Sequence, residues 1–162
     1  ALLSGGSAGG HLSLLYAYSR QEEAPIKPAC VVSYCGPSDL ADPNFYDTNS
    51  KNYNGIINMI SKVSGKSITY ENFDTTYKDL LLSLSPNYYV NSNTVPTVIC
   101  HGDVDDVVPY SNAVSLDALL TKYNVEHEFI TFKNSGHGLE NDSEATAKSN
   151  ELFENYVDKY LS

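Results

Sequence analysis

The sequence predicts a single α/β domain built on about four parallel strands with flanking helices. Short apolar runs alternate along the chain with segments whose apolar residues recur every three to four positions. Two of the apolar runs are continuous, which is typical of strands buried on both faces of a parallel sheet. The chain has 162 residues, a length that suits one domain with a sizeable core. We therefore treat residues 1–162 as one domain.

The elements are expected in alternating order, as βαβ units require. The four strands are expected at residues 1–4, 29–35, 97–101 and 126–132. The three long helices are expected at residues 8–23, 112–123 and 143–161. In the first helix one face carries Leu12, Leu15, Tyr16 and Ser19. In the second helix the inner face is expected to carry Leu116, Leu119, Leu120 and Tyr123.

Residues 37–86 interrupt this alternation after the second strand. The segment is rich in Asn, Ser and Tyr and lacks a convincing strand pattern. It contains two short amphipathic patterns, at residues 56–63 and 77–84. We expect a helical insertion that lies over one end of the sheet like a cap or lid, and that is the most mobile ordered region of the chain.

Composition excludes several classes of function. The 20 acidic and 10 basic residues give a formal net charge of −10, which argues against a nucleic-acid partner and against docking on anionic membranes. No apolar run approaches the roughly 18 residues that a membrane span requires. The three cysteines are an odd number without zinc-site spacing, so we expect neither a disulfide framework nor a metal.

The strongest chemical signal is the Gly-x-Ser-x-Gly pattern centred on Ser7, between a strand and a helix. In that context the pattern indicates a nucleophile elbow, a sharp turn that projects the Ser7 hydroxyl from the end of the strand. The same turn would aim the N–H of Ala8, at a helix N-terminus, toward an oxyanion. A dinucleotide-binding loop would require Gly-x-Gly-x-x-Gly followed by a distant acidic residue, which is not the spacing at residues 5–10.

A serine nucleophile needs a base and an orienting acid, and both follow later strands. Three aspartates come directly after the third strand: Asp103, Asp105 and Asp106. His137, between two glycines, comes after the fourth. The residues leave the choice among the three carboxylates open. Of the other histidines, we expect His11 and His101 to be structural and His127 to be exposed.

These motifs together resemble the C-terminal part of α/β-hydrolase-fold serine esterases. The similarity is greatest to the acetyl esterase and lipase-like group with feruloyl and acetylxylan esterase relatives. It rests on residues 7–11 (SAGGH), on 101–109 (HGDVDDVVP), on 136–138 (GHG) and on 84–86 (LSP). It is weakest over residues 42–78.

The resemblance implies half of an α/β-hydrolase sheet and an esterase mechanism. Ser7 would be the nucleophile, His137 the base, Asp105 the acid and Ala8 an oxyanion donor, with no cofactor and with a small-molecule ester as substrate. Short acyl or acetylated carbohydrate esters are the expected class. Two alternatives remain: a prolyl-oligopeptidase-like peptidase, which usually carries an aromatic residue at the position of Ala8, and a non-catalytic fragment that acts only in assembly.

The family's sheet has about eight strands, of which this chain would hold the last four. The first strand at residues 1–4 would then have lost its neighbour on one side. We expect the exposed edge to be covered either by a missing N-terminal half or by another copy of the chain.

Overall fold

The computed structural model describes residues 1–47 and 53–161, and its centre is a four-stranded parallel sheet in the order β1-β2-β3-β4. The strands are β1 Leu2–Gly6, β2 Cys30–Tyr34, β3 Thr97–Gly102 and β4 His127–Phe132. The helices are α1 Ala8–Ser19, α2 Tyr53–Ser64, α3 Lys78–Ser83, α4 Ser111–Lys122 and α5 Ser143–Leu161. Short 3₁₀ turns occupy Pro43–Tyr46 and Pro86–Tyr89. The predicted fold class is confirmed, and β1 and β3 run two residues and one residue further than expected.

The sheet is covered on both faces, as a continuous apolar pattern requires. On one face α1 and α4 pack against residues of β2 and β3 that include Val31 and Ile99. On the other face α5 packs through Tyr156 against a set that includes Val32 and Val98. Because successive side chains of a strand point to opposite faces, the two central strands fill both layers of the core.

Helix α1 turns a different face to the sheet from the one that its apolar pattern highlights. Its buried residues are Gly10, Leu14, Ala17 and Tyr18. Leu12 and Tyr16 are 63% and 41% exposed, and they line an open cleft of about 490 Å³. Apolar residues lie on both sides of this helix, so periodicity alone could not identify the inner side. The helix also ends at Ser19, four residues before the predicted end.

Strand β1 forms one edge of the sheet, as expected. Its outer edge pairs with no other described strand, and the exposed face of α1 carries Leu12 and Tyr16. The partner that would cover them, an N-terminal half or another copy, stays a prediction.

The insertion at residues 37–86 contains the first 3₁₀ turn, α2 and α3, and the second 3₁₀ turn begins at its last residue. It has an apolar cluster of its own, in which Tyr46 stacks on Phe73 with ring centroids 4.0 Å apart. Val108, from the loop after β3, is fully buried in the same cluster. Asn112 of α4 accepts hydrogen bonds from the N–H groups of Ser38 and Asp39 and so attaches the start of the insertion to the sheet layer. The expected mobility of the insertion stays a prediction.

Across the described ranges, no helix combines the length and the hydropathy needed to cross a bilayer.

Candidate active site

The three residues of the predicted triad follow three different strands, at the end of the sheet where the carboxyl ends of the strands lie. Ser7 comes directly after β1, Asp105 three residues after β3, and His137 five residues after β4. All four strands are parallel and in register, so their carboxyl ends lie at the same edge. This edge is where α/β sheets place their ligand-binding loops.

Ser7 adopts the strained backbone that a nucleophile elbow requires. Its φ is 53° and its ψ is −120°. L-residues rarely adopt this conformation, and strained residues of this kind cluster at functional sites. The turn is tight because Gly5 lies against the start of α1: a Cβ on Gly5 would be 2.5 Å from the Gly9 carbonyl carbon. Glycine at position 5 therefore lets the strand and the helix approach each other.

Asp105 is held by its own loop. Its side chain is fully buried, and its Oδ1 accepts hydrogen bonds from the N–H groups of Val107 at 2.8 Å and Val108 at 2.9 Å. Its Oδ2 accepts from Nδ1 of His137 at 2.8 Å and lies 3.3 Å from Nε2 of His101. Asp105 is thus the carboxylate that contacts His137, while Asp103 and Asp106 are exposed.

These contacts set the charge of Asp105. Burial alone would raise the pKa of this carboxyl. The contacts with His101 and His137, followed by those with the N–H groups of Val108 and Val107, outweigh burial and hold the pKa of Asp105 well below its ordinary value. The group is an anion at neutral pH, as a partner for imidazolium must be.

The loop that carries His137 is seated on the end of β3. A Cβ on Gly102 would lie 2.2 Å from the Ser135 carbonyl oxygen and 2.4 Å from that of Gly136. The N–H of Val104 donates to the Ser135 oxygen at 3.2 Å, which joins the two loops. Nδ1 of His137 contacts Asp105, and the side chain is 25% exposed, so the ring remains accessible.

The structure joins two members of the predicted triad and leaves the third contact open. Among the described residues, no hydrogen bond joins the Ser7 hydroxyl to His137. Nucleophile–base contacts are often long without substrate and tighten in the complex. The structure thus shows a formed His137–Asp105 pair, with Ser7 in a half-buried turn at the same end of the sheet. The approach of Ser7 to His137 stays a prediction.

The remaining histidines divide into two kinds. Nδ1 of His11 is 2.8 Å from the Pro37 carbonyl oxygen, and burial lowers the pKa of His11 while this hydrogen bond raises it in part. The expectation that His127 is simply exposed is wrong: its Nδ1 lies 2.8 Å from the Val125 oxygen, and its Nε2 lies 3.1 Å from Asp117. Its position on an edge strand did not reveal that α4 lies beside it.

Cys35, His101 and Asp105 bring their ligand atoms within 4.8 Å of one another, and these residues do not suit a metal ion. Both oxygens of Asp105 already have donors. Burial raises the pKa of the Cys35 thiol to about 12, so the thiolate that metals prefer is disfavoured. All three cysteines are buried and free, as expected of small apolar residues.

A cleft of about 360 Å³ opens between the Asp105 loop and the first 3₁₀ turn of the insertion. Carboxylates, an amide and hydroxyl groups share its lining with two aromatic rings and with Val107 and Pro109. The lining includes Asn44, Phe45, Asp103, Asp106, Tyr110 and Ser111.

Several solved esterase structures are similar to this chain. The propionate-bound Est2 esterase from Thermogutta terrifontis has a TM-score of 0.65 at 20% identity, and the match covers 98% of this chain and 55% of that one. A truncated carbohydrate esterase from gut microbiota has a TM-score of 0.64 at 19% identity, covering 95% and 59%. The acetyl ester-xyloside bifunctional hydrolase from Caldicellulosiruptor lactoaceticus has a TM-score of 0.63 at 25% identity, covering 96% and 55%.

The chain spans little more than half the length of these esterases, and the likeness shows that its fold is the α/β-hydrolase fold. No match was found among curated proteins. Residues 82–160 match the dienelactone hydrolase family, and residues 1–120 match the BD-FAE family. The second match covers most of the chain and includes the Ser7 elbow and the Asp105 loop, so the chain belongs to the BD-FAE family.

Proposed function

We propose that this chain carries the catalytic residues of a serine hydrolase that cleaves carboxylic esters. The observation that carries the proposal is the 2.8 Å hydrogen bond between His137 and a buried, ionised Asp105, at the sheet edge where Ser7 occupies a strained strand-to-helix turn. The similarity to esterases supports the same reaction.

In this mechanism the Ser7 oxygen attacks the ester carbonyl while Nε2 of His137 takes the hydroxyl proton. Asp105 keeps the other ring nitrogen, Nδ1, protonated and stabilises the imidazolium that forms. His137 then protonates the departing alcohol, and water repeats the steps in reverse order to release the acid. The tetrahedral intermediate carries an oxyanion that must be stabilised.

The N–H of Ala8 is the proposed oxyanion donor. It belongs to the first turn of α1, where N–H groups have no partner within the helix. No hydrogen bond of this N–H to another described residue is found. The helix dipole adds a partial positive charge at the same point.

We propose short acyl esters, including acetyl esters of carbohydrates, as the substrate class. The similar solved structures include an esterase with bound propionate and an acetyl ester-xyloside hydrolase. The polar cleft beside the Asp105 loop offers acceptors and donors suited to the hydroxyl groups of a neutral alcohol, whereas its carboxylates would repel an anionic one.

The test compares hydrolysis of p-nitrophenyl acetate by the unaltered protein and by Ser7→Ala. We expect turnover to fall by several orders of magnitude, with little change in thermal stability because Ser7 is only half-buried and loss of its hydroxyl leaves no core cavity. Ser92→Ala is the matched control, since Ser92 is an exposed serine in the loop that enters β3 from the opposite edge of the sheet. Full activity in Ser7→Ala would contradict the proposal, and faster cleavage of dipeptide amides than of acetyl esters would favour a peptidase.

A further inference from the structure

We propose that His101 is a positioning residue for Asp105. The backbone of the Asp105 loop holds Oδ1, whereas His101 and His137 both contact Oδ2. This inference deepens the proposed function and rests on it. His101 is the penultimate residue of β3, just before the loop that carries Asp105.

The His101 ring is in the core and its orientation is fixed. Its side chain is 1% exposed. Nε2 lies 3.0 Å from the carbonyl oxygen of Val108. A carbonyl oxygen only accepts, so Nε2 carries a hydrogen in this arrangement. The ring also meets Tyr110 edge-on, with centroids 6.0 Å apart.

The same N–H lies beside the acid. Nε2 is 3.3 Å from Oδ2 of Asp105, the oxygen that accepts from Nδ1 of His137 at 2.8 Å. The other oxygen, Oδ1, is fixed by the N–H groups of Val107 and Val108. Both backbone polar groups of Val108 are therefore held: its carbonyl oxygen accepts from Nε2 of His101, and its N–H donates to the Asp105 carboxylate.

One consequence follows for His137. The carboxylate has little freedom to rotate, so its contact with Nδ1 of His137 keeps one geometry. Loss of the His101 donor should loosen this contact, although the two backbone N–H groups still hold Oδ1 of Asp105.

The experiment follows the Nδ1 proton of His137 by NMR and, in parallel, measures kcat and KM for p-nitrophenyl acetate. In His101→Leu, which removes the donor, we expect the Nδ1 proton signal to move upfield and to exchange faster with solvent, because the hydrogen bond to Asp105 is less constrained. We expect kcat to fall about tenfold to a hundredfold with KM nearly unchanged, as a small misplacement of a catalytic group does.

Two further variants separate positioning from folding. His101→Gln can place an amide N–H near the position of Nε2 and should restore the wild-type Nδ1 proton signal and kcat, whereas His101→Asn is too short and should behave like His101→Leu. If His101→Leu fails to fold, the comparison of Gln with Asn still decides. His127→Gln is the matched control, since His127 contacts Asp117 on the surface and should leave the Nδ1 proton signal of His137 unchanged.

An unchanged Nδ1 proton signal of His137 in the folded leucine or asparagine variant would overturn the proposal, as would an unchanged kcat. A loss of stability alone would mean that His101 only packs. The NMR measurement needs no turnover, so a failure of the proposed ester hydrolysis is seen separately from a failure of this inference.

Discussion

Gly102→Ala tests whether the His137 loop depends on contact with the end of β3. The new Cβ would lie 2.2 Å from the Ser135 oxygen and 2.4 Å from the Gly136 oxygen, where ordinary contacts begin at 3.4 Å. Both are backbone atoms, so the whole loop must retreat by about 1 Å. The His137–Asp105 contact, now 2.8 Å, would then exceed hydrogen-bond length.

We expect this substitution to lower kcat about a hundredfold, the effect of a misplacement of this size in a catalytic group. Overpacking should also lower the free energy of unfolding by about 1–3 kcal/mol. The assay is p-nitrophenyl acetate hydrolysis, with chemical denaturation measured on the same samples. Gly55→Ala is the matched control, because a Cβ on Gly55 in α2 meets no atom within 4 Å and should leave activity unchanged. Wild-type turnover in Gly102→Ala would refute the reasoning.

Three further outcomes are expected. Hydrogen bonds hold the pKa of Asp105 below the unfolded-state value near 3.9. Its contribution to the free energy of unfolding is therefore present above about pH 4 and is lost as the pH falls further. The difference in unfolding free energy between wild type and Asp105→Asn, measured by denaturant titration, should shrink over the same range. Burial holds the pKa of His11 below about 6.5, so the unfolded chain takes up a proton that the folded chain does not, and stability should decline as the pH falls below 6.5; a wild-type NMR midpoint for His11 at or above 6.5 would contradict this. The open edge of β1 and the exposed Leu12 and Tyr16 of α1 should make the isolated 162-residue chain associate in sedimentation experiments, and a compact, cooperatively unfolding monomer that binds no apolar dye would count against it.

The sequence predicts the architecture well where the signal is local and strong. The continuous apolar runs that became β2 and β3 are typical of strands buried on both faces of a covered parallel sheet, and they form the two central strands of the observed sheet. The last helix, Ser143–Leu161, has the predicted bounds because its apolar stripe is long and uninterrupted.

The sequence predicts less where several sides of an element are apolar. In α1 the pattern highlighted Leu12 and Tyr16, but the residues that pack on the sheet are Leu14 and Ala17. Which face turns inward depends on the neighbouring strands and not on the helix itself. The partner of His127 was likewise missed, because Asp117 is brought to it by the packing of α4 beside β4.

In the site itself, residue order pointed to Ser7 and His137, but the residues alone left three aspartates as acids. Burial and hydrogen bonding single out Asp105 as the partner of His137, which spacing alone does not show. The sequence did not predict the contact between His101 and Asp105. The two residues are four positions apart, and no sequence pattern indicates that the loop after β3 folds back onto the end of that strand.

The central claim is that Ser7 is a nucleophile activated by the His137–Asp105 pair. The most direct measurement is covalent labelling with a fluorophosphonate, located by mass spectrometry of the intact protein and its peptides. We expect one adduct, on Ser7, that is absent in Ser7→Ala, slowed by orders of magnitude in His137→Ala and unchanged in Ser92→Ala. An adduct on a different residue, or undiminished labelling in Ser7→Ala, would contradict the claim.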